Sequence, residues 1–460
     1  MPKNIETHIV IIGSGGGLAA AVAAAEKGAD KIILLEKQGR LGGNTGLAGD
    51  IFACESPVQK RADISAKQDE YFKIAMRWAH WNRVDPRIVR AYINKSGDTI
   101  RWLEEKGVEF ENILPYRGIT THNALGSNKR IMQVLAQKSE DLGVEVLLGT
   151  TCKKILREDD GVVTGVAAVN KEGEEIQIMA RSVIIATGGF PGNENLMRKY
   201  CPDYHEGMQM GKWPYHTGDG LLMADEIGAG IADSIPIFHI GPVLESGYWS
   251  SLAFIPYQPY MVWVNKRGKR FIDESWNSHW ESGNAVLGQP EKTVYIIWDE
   301  QMKQELEYKI SGFPEKLRKY EIAGSLKTAR DWDGIADWIG ADPEVLKATM
   351  AEYNYACNCG YDEHYAKDKS FLAPLKRAPY YAIRALTHCG ETMGGIKINE
   401  SMEILDIKNK PIPGLFASGV IADGWQSQTY CTDLFGSACS FALNSGRIAG
   451  ENAARFVLDK

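Results

Sequence analysis

The stretch His8-Ile9-Val10-Ile11-Ile12-Gly13-Ser14-Gly15-Gly16-Gly17-Leu18 decides how this 460-residue chain is read. Its first five residues form a short, nearly uninterrupted apolar run, the pattern of a strand buried on both faces. The glycines that follow break the run, and no small-residue cleavage site comes after them, so the segment does not read as a secretory signal core. Leu18 to Lys27 is rich in alanine and reads as a helix that closes at Gly28. Lys31 to Leu35 is a second apolar strand, ending at Glu36. Strand, glycine turn, helix, strand and acid, in that order, make a dinucleotide-binding unit. The glycines let backbone approach a pyrophosphate, and the helix N-terminus offers unpaired N–H groups and the positive end of its dipole. Glu36, 23 residues after Gly13, is placed to accept hydrogen bonds from an adenosine ribose. The spacing departs from GxGxxG once. Leu18 occupies the third glycine position, which leaves the close helix–strand contact to Gly17 or Ala19.

Around this unit the composition is that of an ordinary globular protein, with 44% hydrophobic and 24% charged residues. At roughly 150 residues per domain the length suggests two or three domains, or one large α/β unit with an insertion. With 52 basic and 59 acidic residues the formal net charge is −7, and no long basic run occurs. That argues against a nucleic-acid partner. No uninterrupted apolar stretch of about eighteen residues is found, so no membrane span is expected. The eight cysteines, Cys54, Cys152, Cys201, Cys357, Cys359, Cys389, Cys431 and Cys439, form neither CxxC nor a cluster-ligand ladder. They read as reduced thiols of a cytoplasmic protein without a metal site.

Beyond Glu36 the glycine-rich loop Leu41-Gly42-Gly43-Asn44-Thr45-Gly46-Leu47-Ala48-Gly49-Asp50 carries few bulky side chains and can admit a flat ring system. Further on come Ile184-Ile185-Ala186-Thr187-Gly188-Gly189-Phe190, Thr217-Gly218-Asp219-Gly220, Gly268-Lys269-Arg270-Phe271-Ile272-Asp273-Glu274, Thr392-Met393-Gly394-Gly395 and Pro413-Gly414-Leu415-Phe416-Ala417-Ser418-Gly419. In these five segments, in register over almost the whole chain, the sequence resembles the FAD-containing flavoproteins of the fumarate reductase, succinate dehydrogenase and 3-ketosteroid dehydrogenase family. The resemblance implies an α/β fold, a Rossmann-like FAD-binding domain with an inserted α+β capping domain. It implies FAD as cofactor, and no second glycine fingerprint for a nicotinamide cofactor is present. The contacts it carries over fall on Ser14, Gly15, Gly16, Glu36, Lys37, Gly43, Asn44, Thr45, Gly49, Asp50, Ala186, Thr187, Gly188, Asp219, Gly419, Ala438 and Cys439. Asp219 also reads as a turn cap. The family's glutamate after the last glycine is replaced by Val420, and no histidine stands in the Asn44-Thr45-Gly46 loop.

Helical patterns cover Gln68 to Trp81, Pro86 to Lys106 and Lys129 to Leu142, and Gly143 to Gly149 and Gly161 to Asn170 read as strands. Residues 236–375 change character, with many aromatics, short strands and a helix over Pro343 to Cys357. The expected division is therefore an FAD-binding domain over 1–235 and 376–460, with a capping, substrate-binding domain over 236–375.

In the resembling family a hydride passes between the flavin and one carbon of a C–C bond, while an arginine exchanges a proton with its neighbour. Arg270 matches that arginine, and Asp273 and Glu274 are placed to pair with it. Read without the family, Lys266, Arg267, Lys269 and Arg270 would be a solvated hairpin tip. His239 falls near the family's substrate histidine, although a histidine between Phe238 and Ile240 also suits a core. The dicarboxylate clamp is missing. Gly390 and Glu391 stand where two histidines precede TMGG, the cap lacks a Thr-Glu pair, and Asp433 replaces the arginine of NRLGG. An aspartate repels a carboxylate that an arginine would grip.

Residues 248–263 hold six aromatics, Tyr248, Trp249, Phe254, Tyr257, Tyr260 and Trp263, with no charge among them. They read either as core or as a wall for a flat ring. Tyr257 or Tyr260 would polarise a ketone oxygen, and Asp433 and Glu391 would accept hydrogen bonds from a neutral or cationic ligand. The expected activity is an FAD-dependent oxidoreductase acting on a C–C or C=C bond of a small ring-bearing substrate, such as a cyclic or steroid enone or an aromatic acrylate analogue. The electron donor or acceptor is left unnamed. Two alternatives stand beside it: an amine or amino-acid oxidase, favoured by the two acids and disfavoured by Arg270, and a non-catalytic electron-transfer flavoprotein subunit.

Overall fold

The computed structural model describes residues 3–111, 113, 115, 116, 119–158, 161–210, 215–245, 247, 250–276 and 278–459. The chain divides into two compact units. One comprises Met1–Pro202, Trp213–Ile237 and Glu391–Lys460, and the other Asp203–Lys212 and Phe238–Gly390. Besides a two-residue shift at 236–237, these limits differ from the sequence division at two places, both for reasons of strand pairing. The strand Tyr380–Thr392 pairs antiparallel with Thr293–Asp299 and Leu326–Ala329, which draws its residues up to Gly390 into the second unit. Gln209–Met210 pairs parallel with His388 and Cys389 of the same strand and follows it there.

The first unit is built on an eight-stranded sheet whose centre is the strand quoted above. β1 (Lys3–Ile12) runs into a turn and then α1 (Gly17–Glu26), followed by β2 (Ile32–Glu36). β1 pairs parallel with β2 on one side and with β3 (Glu175–Ile185) on the other. β3 in turn pairs parallel with β4 (Pro411–Ala417), so the sheet joins both ends of the chain. Val10, Ile11, Leu34, Val183, Ile184 and Ile185 are fully or almost fully buried, as expected of strands covered on both faces. The long C-terminal helix α2 (Ser437–Leu458) packs along α1.

The glycine question left open by the sequence is settled at Gly17. A Cβ there would lie 2.9 Å from Ile11 Cγ2, so Gly17 makes the close helix–strand contact. The predicted helices are present with shifted ends: Gln68–Trp78, Pro86–Glu105, Ser127–Asp141 and Pro343–Cys359. Each of those beginning with proline is capped by the preceding aspartate, Asp85 or Asp342.

The second unit has a six-stranded mixed sheet. Trp263, Trp298, Ile296, Phe313 and Ile383 form one core cluster, and Val262, Ile297, Leu346, Tyr353 and Ala382 another. Alternate residues of the same strands supply the two clusters, as a sheet covered on both faces requires. Among the described residues no helix is long and apolar enough to cross a membrane, no cluster suits a metal ion, and all eight cysteines are free thiols.

The α1–α2 contact generates a test. A Cβ on Gly450 would lie 2.2 Å from the Ala20 carbonyl oxygen, which is backbone and does not yield. Gly450→Ala is expected to destabilise the protein by about 1–3 kcal/mol, the range for overpacking. Gly360→Ala has nothing within 4 Å of its Cβ but sits at φ 68°, so it should cost only about 1–2 kcal/mol of left-handed strain. Urea unfolding monitored by circular dichroism measures both.

Candidate active site

The cofactor residues named from the sequence all lie in the first unit. They gather past the C-terminal ends of β1, β2, β3 and β4, the edge where open α/β sheets bind ligands. Glu36 is buried, and its carboxylate ties the glycine turn together. Oε2 accepts from the Ser14 N–H at 3.1 Å and the Ser14 hydroxyl at 2.5 Å, and Oε1 accepts from the Gln38 N–H at 2.9 Å. Ser14 Oγ accepts in turn from the Gly42 N–H at 2.9 Å. A carboxylate offers about four acceptor positions, so three bonds leave room for a ribose hydroxyl.

Gly15 faces the loop of Gly43 and Thr45. A Cβ on Gly15 would lie 3.1 Å from Thr45 Oγ1, and one on Gly43 would lie 3.6 Å from the Gly15 backbone. Gly16 is covered from the other side, since its Cβ would lie 2.8 Å from the Ala442 carbonyl. Gly13 has φ 93° and backs onto Ala186, whose carbonyl oxygen a Cβ would meet at 2.5 Å. The turn is therefore pinned by backbone on three sides.

Lys37 Nζ donates to Thr217 Oγ1 at 3.0 Å and pairs with Asp219 at 2.9 Å, while Thr217 Oγ1 donates to the other Asp219 oxygen at 2.6 Å. Burial opposes ionisation of Asp219, but the Lys37 and Thr217 hydrogen bonds outweigh it and hold the carboxyl below its ordinary value. Asp219 also lies in the first turn of the helix Asp219–Glu226, but the cap is Gly218 and no side chain caps the helix, so Asp219 is not the turn cap that the sequence also allowed.

Asp50 is shifted upward by burial and accepts from Thr121 Oγ1 at 3.1 Å. Burial likewise raises the Cys439 thiol to about 12, and its sulfur accepts from Asn128 Nδ2 at 3.2 Å. Ala438 N–H donates to the Tyr430 hydroxyl at 3.3 Å, and Gly419 N–H to Ser445 Oγ at 2.9 Å. Gly188 sits at φ 74° against His216, and no side chain comes within 4 Å of a Cβ on Gly49. Thr187 Oγ1 and Ser418 Oγ are buried without a hydrogen-bond partner among the described residues. A pinned glycine turn, a buried carboxylate with an acceptor position to spare and unsatisfied hydroxyls on the same sheet edge suit a bound dinucleotide.

Glu391, expected on the substrate side, is instead held among these loops. Its Oε2 lies 3.0 Å from Asn44 Nδ2 and 3.1 Å from His216 Nδ1, and its Oε1 accepts from the Thr392 N–H at 3.0 Å. His216 was not singled out from the sequence, although it directly precedes Thr217-Gly218-Asp219. Burial alone would make His216 a weaker base. The Glu391 carboxylate overrides burial and raises its pKa above the ordinary value. Asp433 is exposed on a cavity of about 610 Å³, lined also by Ile74, Arg77, Trp78, His80 and residues 427–429.

Arg270, His239, Tyr257 and Tyr260 lie in the second unit. Arg270 is not a solvated hairpin tip. Its Nε and Nη2 donate to the two oxygens of Glu274 at 2.8 and 2.9 Å, and Nη2 also reaches Asp362 at 2.8 Å. Tyr353 and Tyr365 lie 4.9 and 4.7 Å from its guanidinium carbon. Lys367 closes the network, 3.2 Å from Glu274. Burial would lower the Arg270 pKa, but the Glu274 and Asp362 carboxylates reverse this and hold it above its ordinary value. Asp273, the other acid expected to pair with Arg270, accepts from Ser275 instead. Asp362 and Lys367 lie more than ninety residues away in the chain, and nothing in the sequence marked them.

His239 is buried, with Nε2 3.6 Å from Asp203. Tyr260 packs edge-on against Phe371 at 5.7 Å. Tyr257 donates its hydroxyl to the Pro242 carbonyl at 3.0 Å and lies 3.8 Å, ring to ring, from His279. Burial lowers the His279 pKa. Of the expected aromatic wall, Trp263 is core, Phe254 packs against that core, and Tyr248 and Trp249 lie outside the described residues.

Two substitutions test these assignments. Glu36→Gln is expected to weaken FAD retention roughly 10- to 100-fold by removing a charge-assisted acceptor, read from free FAD after ultrafiltration. Glu274→Gln leaves Lys367 without its carboxylate and Arg270 with Asp362 alone, and should cost about 3–5 kcal/mol in urea unfolding. Burial would raise the Glu274 pKa, but Lys367 and Arg270 bring it below its ordinary value. The wild-type contribution is therefore present at neutral pH and is lost on acidification below about pH 4.

Comparison with known proteins agrees with this geometry. The sequence pattern of the family described as FAD binding domain matches residues 8–430. The chain is 29% identical to a vinyl phenol reductase of Lactiplantibacillus plantarum, over 99% of this chain and 98% of that protein. It is also 29% identical to an NADH:fumarate oxidoreductase of Klebsiella pneumoniae, over 99% of this chain but only 48% of the relative, so it spans about half that protein's length. Among solved structures, the open conformation of a flavocytochrome c3 fumarate reductase superposes with a TM-score of 0.75 at 27% identity, covering 99% of this chain and 79% of that one. The chain belongs to the FAD binding domain family and is an FAD-dependent oxidoreductase acting on CH–CH groups.

Proposed function

We propose that this chain transfers a hydride between FAD and a C=C bond of a ring-bearing substrate that is not a dicarboxylate. FAD, when bound, supplies or accepts the electron pair. The protein's own residues bind and orient the substrate, exclude water and move one proton.

The observation that carries the substrate reading is Asp433 on the cavity wall beside Trp78. The Trp78 indole N–H donates to the Thr429 carbonyl at 3.4 Å, which fixes the ring against that wall. An aromatic face suits a flat ring, and the Asp433 carboxylate accepts a hydrogen bond from a phenol or ring N–H. Arg77 on the same wall suffices for one substrate carboxylate. A second carboxylate would meet Asp433 and be repelled. The end-to-end similarity to a protein named as a vinyl phenol reductase supports the same class.

For the proton, Tyr257 is the better acid than Arg270. Arg270 already spends its Nε and Nη2 donors on Glu274 and Asp362, and a raised pKa makes it reluctant to release a proton. Tyr257 donates its hydroxyl hydrogen bond to the Pro242 carbonyl at 3.0 Å, a neutral partner it can leave, and its ring contacts His279, whose buried Nδ1 has no hydrogen-bond partner among the described residues. The proton role falls within the second unit alone: Tyr257 is the donor, with His279 against its ring.

The test is anaerobic. Reduced holoprotein is mixed with a 4-hydroxystyrene, a cyclic enone or fumarate in a stopped-flow instrument. One of the ring compounds should reoxidise the flavin and fumarate should not. Rapid reoxidation by fumarate would overturn the substrate reading. Tyr257→Phe should slow reoxidation about 10²–10⁴-fold while the reduction half-reaction is unchanged, the usual range for a general acid. If Tyr257→Phe reoxidises at the wild-type rate while a folded Arg270→Gln does not, the proton role passes to Arg270.

A further inference from the structure

The His216–Glu391 pair has no place in the proposed hydride chemistry, yet three loops and the end of the strand Tyr380–Thr392 converge on it. Asn44 comes from the loop after β2, Gly188 and Gly189 from the end of β3, His216 from the approach to Thr217-Gly218-Asp219, and Glu391 from the approach to Thr392-Met393-Gly394-Gly395. The fit is close. A Cβ on Gly189 would lie 2.2 Å from Glu391 Oε1, and one on Gly188 would lie 3.6 Å from His216 Cε1. Both side chains are 11% exposed. The His216 carbonyl accepts from the Gly192 N–H at 2.8 Å, which fixes the residue's backbone.

The charges around this point are few and opposed. Glu36, Asp219 and Glu391 supply three carboxylates, and Lys37, His216 and, acting on Asp219, Lys153 supply cations. Lys37 is already committed to Asp219. Its charge disfavours a cationic His216, whereas Glu391 and the more distant Glu36 favour one. FAD brings a pyrophosphate with two further negative charges to the same sheet edge. Without a cation on His216, the Glu391 carboxylate is neutralised only by hydrogen bonds and adds to the negative field that the pyrophosphate meets.

We propose that His216 is a cofactor-site residue whose positive charge, held in place by Glu391, offsets the site's carboxylates against the FAD pyrophosphate, so that FAD affinity depends on the protonation of this one imidazole. The inference rests on FAD binding and not on the substrate reading. Burial opposes the charge, but Glu391 raises the His216 pKa above the ordinary histidine value, so the imidazolium is held to higher pH than a free imidazole's would be. Affinity is then full below the His216 titration and falls as pH rises through it.

The experiment measures FAD release, not turnover. Full-length holoprotein is diluted and equilibrated between about pH 6 and about pH 9, and free FAD is separated by ultrafiltration. The wild-type dissociation constant should rise roughly fivefold or more across that range, the scale of one partly buried charge. His216→Gln should bind FAD at acid pH as weakly as wild type does at alkaline pH, with a flat profile. Glu391→Gln keeps the Asn44 hydrogen bond but removes the negative charge, so it should retain FAD at alkaline pH better than wild type. A flat wild-type profile would overturn the proposal, as would a His216→Gln profile that keeps the wild-type slope. If His216→Gln does not fold, the Glu391→Gln profile decides: tighter binding at alkaline pH supports the charge role, and unchanged binding rejects it. Protein isolated with no FAD at any pH would instead refute cofactor binding itself.

Discussion

Backbone touching backbone, at the contact between the first glycine turn and the last helix, is the constraint on which the cofactor site depends. Gly16 approaches the Ala442 carbonyl, Gly446 approaches the Gly16 carbonyl, and Gly450 approaches the Ala20 carbonyl. None of the three positions has room for even one methyl group. The consequence is that α1 and α2 lie close enough for residues near the two ends of the chain to share one sheet edge. β4, the neighbour of β3, brings Ser418 and Gly419 to the same edge. A dinucleotide site assembled from residues 13–50 and 418–439 requires that packing before any side chain chooses a ligand.

Both units bury charge, and they stabilise it differently. In the second unit Arg270, Lys367, Glu274 and Asp362 neutralise one another, with two tyrosine faces over the guanidinium. Each ion has a partner, so the network holds its residues in place and is costly to break. In the first unit Glu391 has an imidazole partner, whose charge is conditional on a proton. A quartet of permanent ions suits a scaffold. A histidine–carboxylate pair suits a place where the electrostatic load changes when an anionic cofactor arrives.

What the sequence made legible follows the range of the interactions involved. The strand–turn–helix–strand unit was readable because its signals lie within about thirty residues and each has a local cause: apolar run, glycine, alanine-rich helix, acid. The flavin loops were readable as short motifs for the same reason, and Glu36 and Lys37 occupy the sheet edge they were expected to occupy. The partners of Arg270 were only half legible. Glu274 is four residues away on the same segment, whereas Asp362 and Lys367 reach it from more than ninety residues away through the second unit's fold. His216 was missed because an isolated histidine carries no signal until Glu391, 175 residues later, is brought beside it. The unit limits shifted because strand pairing, not composition, decides which sheet Tyr380–Thr392 joins.

Glu391 also shows how the two halves of the chemistry are separated. Its carboxylate is engaged by Asn44, His216 and the Thr392 amide. An acid so engaged would lose these partners if it turned away toward a substrate. The position that a dicarboxylate enzyme uses for a substrate histidine is here taken up in bracing the cofactor loops. Polar recognition of substrate by the first unit then falls to side chains outside that brace. Asp433, exposed and on the wall of a roomy cavity with Trp78 and Arg77, is such a side chain. Under the proposed function, a chain that keeps the cofactor cradle while its acid faces the cofactor loops would retain flavin chemistry without a second carboxylate grip. On the proposed readings, one residue, Glu391, would both leave the substrate side without a histidine and give the cofactor loops a protonation-dependent partner.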